Sequence, residues 1–217
     1  MTTRRNVLTG IAAGAAAGLF GPGYGAARAQ DASVVALAVP GPLGDAVLGA
    51  DDARVTVIEY ASLTCSHCAA FHNETFAAFK EKYVDTGKVK FILREFPLDD
   101  LALLGFMLAR FGGGERYYAV TDLLFSQQGK TWAKPGDDKP LDSLRQTVRQ
   151  AGITQEDFDT ALKDRALYDG VVAVRERGEA EFRVNATPTF FINGKRYPGA
   201  LSLADLDKAI EPLLAGG

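Results

Sequence analysis

Cysteine, histidine, methionine and tryptophan are all scarce in this chain: its 217 residues hold two Cys, two His, two Met and one Trp. Two cysteines exclude a disulfide-rich scaffold, and alone they cannot build a four-thiolate zinc site or an iron–sulfur cluster. Two histidines argue against a haem or multi-metal enzyme. Neither sign of charge dominates either. The 24 Lys and Arg stand against 27 Asp and Glu, a net charge of −3, so there is no electrostatic footprint for nucleic acid. What remains is ordinary for a globular domain, with 47% hydrophobic and 24% charged residues, 23 Gly and 9 Pro. A chain of this length can bury a core without metal or disulfide staples.

Residues 1–29 contain Arg4, Arg5 and Arg28 and no acidic side chain. An Ala- and Gly-rich stretch from Ile11 to Ala27 follows the paired arginines, and Ala27-Arg28-Ala29 has the small-x-small form of a cleavage site. The stretch is too short and too glycine-rich for a stable membrane span. Arg4-Arg5 resembles the pair of a twin-arginine export signal, with Val7 where that motif usually has Phe. An export signal peptide is therefore expected over 1–29, and a retained N-terminal segment is the competing reading. Export would place Cys65 and Cys68 in an oxidising compartment, where a lone pair persists as a disulfide.

After an irregular lead-in over 30–53, Val55–Ala61 is nearly continuous in apolar and β-branched character, as a strand buried on both faces requires. A helix is expected from Cys65, with Cys68, Phe71, Thr75, Phe79 and Tyr83 at helical spacing, until Asp85-Thr86-Gly87 breaks it. Lys88–Phe96 reads as a second strand. Residues 98–169 carry helical signals over Leu98–Phe111, Glu115–Phe125, Leu141–Ala151 and Thr154–Leu167, with Thr154 and Asp157 spaced as a capping box. A further helix is expected over 170–184. Thr189–Ile192, Asn193-Gly194 and Lys195–Tyr197 form the strongest short hairpin signal, and Ser202 caps a last helix to Leu214. The order βαβ, helical block, ββα describes an α/β domain, 54–97 with 170–217, interrupted by an inserted helical domain over 98–169.

Both cysteines fall in Cys65-Ser66-His67-Cys68, after a buried strand and at the start of a helix. The first turn of a helix presents unpaired N–H groups and the positive end of the macrodipole. A thiolate there has a lowered pKa and becomes the nucleophile. Cys68 lies one turn deeper, within reach of a mixed disulfide on Cys65, and His67 is expected to add a donor or partial charge near the Cys65 sulfur. Two other readings compete: a static disulfide, and half of a copper or zinc site in which Cys68 and His72 share a helix face at i, i+4. His72 is otherwise read as structural, and Trp132 as core or rim. Glu59, mid-strand among Val55, Val57 and Ile58, is costly to bury unless neutral or paired. It is read as a proton-moving acid or as an ion-pair partner of Lys90 or Arg94.

Val57-Ile58-Glu59-Tyr60 leading to Cys65-Ser66-His67-Cys68, together with Ala186-Thr187-Pro188-Thr189-Phe190, resembles the DsbA-like thiol:disulfide oxidoreductases of bacterial envelopes, members of the thioredoxin superfamily. The resemblance implies a thioredoxin-like fold with an inserted α-helical domain. It implies Cys65 as nucleophile, Cys68 as resolving thiol, and Glu59 as the buried acid serving Cys68. Pro188 matches the family's cis-proline, and Thr187 the residue whose backbone pairs with an extended client. Ser66 stands where many members have Pro. The implied activity is periplasmic donation of the Cys65–Cys68 disulfide to folding exported proteins, with re-oxidation by a membrane quinone-linked partner of the DsbB type. No cofactor or metal is implied, and a monomer is expected. A reductase or isomerase on the same fold is the alternative direction.

Overall fold

The computed structural model describes residues 32–216; the expected export signal lies outside them. In chain order the elements are α1 (Val34–Leu37), β1 (Val47–Leu48), β2 (Val55–Ala61), α2 (Ser66–Glu74), α3 (Phe76–Phe79), a π turn over Lys80–Val84, and β3 (Val89–Glu95). The helical insertion follows as α4 (Asp100–Arg110), α5 (Tyr117–Gln127), α6 (Pro140–Val148) and α7 (Gln155–Ala161). The chain closes with α8 (Arg165–Phe182), β4 (Thr189–Ile192), β5 (Lys195–Pro198) and α9 (Leu203–Ala215).

Continuous apolar runs place β2 and β3 inside the sheet, whose order is β1-β3-β2-β4-β5. β2 pairs parallel with β3, Glu59 opposite Leu93, and antiparallel with β4, Glu59 opposite Phe190. Side chains alternate across a strand, and the two faces bury different helices. Val55, Val57, Phe91 and Phe190 pack with Phe71, Phe76, Phe79, Leu206 and Ile210 of α2, α3 and α9. Ile58, Tyr60, Ile92 and Phe191 pack with Val174 and Phe182 of α8. A Cβ at Gly178 would lie 2.8 Å from Tyr60 Cε1, so glycine is what lets α8 approach the sheet. Glu59 therefore faces α2, not α8.

The hairpin is as its residues require. Asn193 and Gly194 have φ of 44° and 87°, and Ile192 pairs with Lys195. Both expected caps form as reciprocal capping boxes, Thr154 with Asp157 and Ser202 with Asp205.

The irregular lead-in needs correction. It contains α1 and β1, and β1 pairs antiparallel with β3 through Val47–Ile92 and Leu48–Phe91. What holds it is Arg94, which is 2% exposed. Its guanidinium donates to Leu37 O (2.7 Å), Val39 O (3.3 Å) and both Asp45 carboxylate oxygens (2.9 and 2.7 Å). The expected boundary at 169/170 is also crossed: α8 runs unbroken from Arg165. Asp164 caps it through the Leu167 N–H, Arg165 and Asp169 pair across the joint, and Gly170 sits against Leu43. The Thr154–Leu167 segment instead stops at Ala161.

Candidate active site

Leu63 and Thr64 carry the chain from β2 to α2, and the helical insertion holds this loop. Asp99 accepts from the Thr64 hydroxyl at 2.7 Å with one oxygen and caps α4 through the Ala102 N–H with the other. Gln128 donates to Leu63 O at 2.7 Å and Cys65 O at 3.2 Å. A Cβ on Gly105 would meet Leu63 Cδ1 at 2.8 Å, so α4 packs directly beneath the loop.

Cys65 occupies the N-cap of α2, with φ −78° and ψ 119°. Its sulfur accepts from the Cys68 N–H at 3.4 Å, the bond that a cap side chain makes to the first turn. On its other side the sulfur, when protonated, donates to Thr187 O at 3.3 Å. Thr187-Pro188 is a cis peptide, and within the Ala186–Phe190 motif it is the Thr187 carbonyl that meets the Cys65 sulfur. Cys65 is 9% exposed and Cys68 is fully buried, and both are free thiols.

The two sulfurs titrate in opposite directions. Donation from the Cys68 thiol lowers the Cys65 pKa to about 5 against the opposing cost of burial; the Thr187 side chain, as distinct from its carbonyl, and the backbone N–H groups of Cys68 and His67 add to the lowering. Burial pushes the Cys68 thiol far up, and its hydrogen bond to Cys65 and the charge of Glu59 push the same way. One proton thus stays on Cys68 while Cys65 is a thiolate at neutral pH, the pair titrating as a unit. His67 acts through its main chain. Its imidazole is exposed and makes no hydrogen bond among the described residues.

Glu59 is fully buried, and neither expected cationic partner reaches it. Lys90 pairs with Asp51 and Arg94 with Asp45, because alternation turns Glu59 toward α2. There Glu59 Oε2 meets His72 Nε2 at 3.0 Å. His72, read from sequence as structural, stacks on Phe125 with ring centroids 4.1 Å apart. Among the described residues, no group of three or more His, Cys, Asp or Glu side chains is placed to hold a metal ion.

A family model described as Thioredoxin matches residues 43–212. The alpha-DsbA1 structure from Wolbachia pipientis superposes with a TM-score of 0.75 at 29% identity, covering 85% of this chain and 97% of that one. The chain is a DsbA-like member of the thioredoxin superfamily. Its nine described helices and mixed sheet reproduce the DsbA fold with its helical insertion. Oxidised BdbD from Bacillus subtilis shares that fold, with a TM-score of 0.67 at 20% identity, 85% of this chain and 96% of that one covered. Among curated relatives, a "Putative protein-disulfide oxidoreductase" of Rickettsia bellii is 33% identical over 171 residues, which is 77% of this chain and 65% of that protein. The chain spans a little under two thirds of the length of the Rickettsia relatives it matches.

In this DsbA-like site, sequence reasoning missed Gln128 and Asp99, which hold the cysteine loop, and the pairing of His72 with Glu59. A signal for the last existed. Cys68 and His72 at i, i+4 mark one helix face, and that face had to lie on the buried acid of β2.

Proposed function

We propose that this protein is an exported thiol:disulfide oxidoreductase that donates its Cys65–Cys68 disulfide to folding client proteins in the periplasm. One observation carries the reading. A nearly buried sulfur at a helix N-cap is stabilised as a thiolate, while its partner sulfur is sealed and held as a thiol. Whatever stabilises the Cys65 thiolate stabilises the reduced protein, which makes the disulfide more oxidising. A fall in pKa to about 5 is worth about 3 kcal/mol at neutral pH, or roughly 60 mV in the two-electron couple.

The chemistry follows in two exchanges. A client thiolate attacks the Cys65 sulfur, the Cys65–Cys68 bond breaks, and Cys68 departs with the electron pair and takes up a proton. A second client thiolate then attacks the client sulfur of the mixed disulfide, and Cys65 departs as its stable thiolate. The client is oxidised by two electrons and the protein reduced by two. The client lies extended beside Thr187 and Pro188, whose loop faces the attacked sulfur. A quinone-linked membrane partner of the DsbB type restores the disulfide, and residues 1–29 direct export. The Rickettsia relative's name and the DsbA structures support thiol–disulfide exchange at this site.

The test is direct. Oxidised protein mixed with a reduced dithiol peptide in a glutathione buffer is expected to form the peptide disulfide stoichiometrically. If the reduced protein opens a peptide disulfide faster than the oxidised protein makes one, the chain works as a reductase instead.

A further inference from the structure

His72 sits one turn after Cys68 on α2, so both side chains share the helix face that lies against Glu59 of β2. His72 and Glu59 side chains are 2% and 0% exposed. The His72 ring is held among Phe125 (centroids 4.1 Å apart, 11° between planes), Phe76 (4.8 Å) and Phe71 (5.3 Å). That clamp fixes which nitrogen points where. Nε2 faces inward to Glu59 Oε2 at 3.0 Å. Nδ1 has no hydrogen-bond partner and faces Asp122 Oδ1 at 4.0 Å, on a side chain 52% exposed to solvent. Glu59 Oε1 is likewise buried and unpartnered. A histidine and a glutamate kept only for structure would be expected to saturate these atoms, because unpaired buried polar groups are costly. Here one open atom lies at each end of the pair.

We propose that His72 is a positioning residue for Glu59 that also carries its proton, connecting buried Cys68 to solvent along the line Cys68, Glu59, His72, Asp122. This rests on the exchange chemistry proposed above. When a client thiolate breaks the Cys65–Cys68 bond, Cys68 leaves as a thiolate that water does not reach. Glu59 enters this step as the protonated acid and gives its proton to Cys68. Glu59 then takes the Nε2 proton of His72, and His72 takes up a proton at Nδ1 from the Asp122 side. Re-oxidation runs the line backwards: Cys68 loses its proton to Glu59, and one proton leaves past Asp122. Each cycle therefore resets the His72 tautomer, and no electrons travel along the line.

The titratable and charged groups along this line are Glu59 from β2 and Asp122 from α5, which face the His72 ring, Cys68 from its own helix, and, near Asp122, Tyr118 from α5 and Lys80 from the turn after α3. Tyr118 is committed elsewhere, donating to Ala46 O and accepting from the Leu93 N–H. Lys80 pairs with Asp85. Burial raises the Asp122 pKa against the lowering pull of His72 and Lys80, which suits a carboxyl at the mouth of such a line.

His72→Gln keeps an N–H donor for Glu59 but offers no second nitrogen through which a proton can pass. The rate at which the oxidised protein forms a disulfide in a dithiol peptide would be followed by quenched flow, from about pH 5 to pH 9, in H2O and D2O. The variant is expected to lose about 10²-fold in the Cys68-releasing step, the magnitude of general acid–base assistance. It should also lose the solvent isotope effect on that step, with the Cys65 titration unchanged. Asp122→Asn, on a half-exposed side chain, tests the outlet if His72→Gln does not fold, and should diminish the same isotope effect. Wild-type rates and isotope effect in both variants would overturn the relay. So would equal slowing at every pH with the isotope effect intact, which is what a structural role produces. Failure of the wild-type protein to oxidise the peptide would instead sink the oxidoreductase reading itself.

Discussion

Cys65→Ser is expected to reduce disulfide transfer to the background of uncatalysed exchange, whereas Cys68→Ser should stop the reaction half-way. The difference follows from the placement of the two sulfurs. Cys65 is the one at the helix cap, stabilised as a thiolate and facing the Thr187-Pro188 loop. Without it no acidic thiol remains, because Cys68 is fully buried and its pKa is pushed up. Cys68→Ser leaves the nucleophile but removes the thiol that resolves a mixed disulfide, so covalent client adducts on Cys65 should accumulate. Non-reducing gels and intact mass measurement of the two variants, each mixed with an oxidised client peptide, distinguish these outcomes. Adducts on Cys65→Ser would show that the roles are reversed.

The second large effect is on stability, and its sign depends on pH. The folded pKa of Cys65 is depressed to about 5 from the free-cysteine value of ~8.5. A depressed pKa contributes stability that is fully present above the unfolded pKa and is lost as pH falls through the folded one. The reduced protein should therefore gain about 3 kcal/mol at neutral pH, and about 5 kcal/mol above pH ~9. Oxidation stabilises through a four-residue loop, which in the chain-entropy model is worth about 2 kcal/mol. The thiolate wins at neutral and alkaline pH, so reduction should raise the denaturation midpoint there. The order should reverse below roughly pH 6, where the thiolate contribution has shrunk beneath the loop term. Urea midpoints of oxidised and reduced protein across this range check both the sign and the crossover. An oxidised form more stable at every pH would mark Cys65–Cys68 as an ordinary structural disulfide.

Much of this arrangement is legible in the residues. Val55–Ala61 announces a strand buried on both faces, and its end beside Cys-x-x-Cys places a thiol at a helix start. Asn193-Gly194 fixes the β4–β5 hairpin because both positions need positive φ. The pairing of Glu59 was not legible, because alternation along one strand does not say which helix covers which face. Lys90 and Arg94 looked like partners on the neighbouring strand, yet both face the side away from Glu59. β1 escaped because two residues carry no periodicity; it exists through its ladder to β3, beside the lead-in that Arg94 anchors. Gly170 looked like a helix boundary, yet α8 passes through it: Asp164 had already capped the helix, and Leu43 needs the space that a side chain would fill.

The most direct measurement is the titration of the Cys65 thiolate by ultraviolet absorbance in Cys68→Ser and in the reduced wild-type protein. In the wild type, one thiolate should appear with a midpoint near 5, and the second thiol should stay protonated well into the alkaline range. In Cys68→Ser the Ser hydroxyl keeps a donor to the sulfur, so the midpoint should stay well below the ~8.5 of a free cysteine. A wild-type midpoint near that free value would contradict the thiolate-stabilised N-cap, and with it the direction of exchange proposed for this protein.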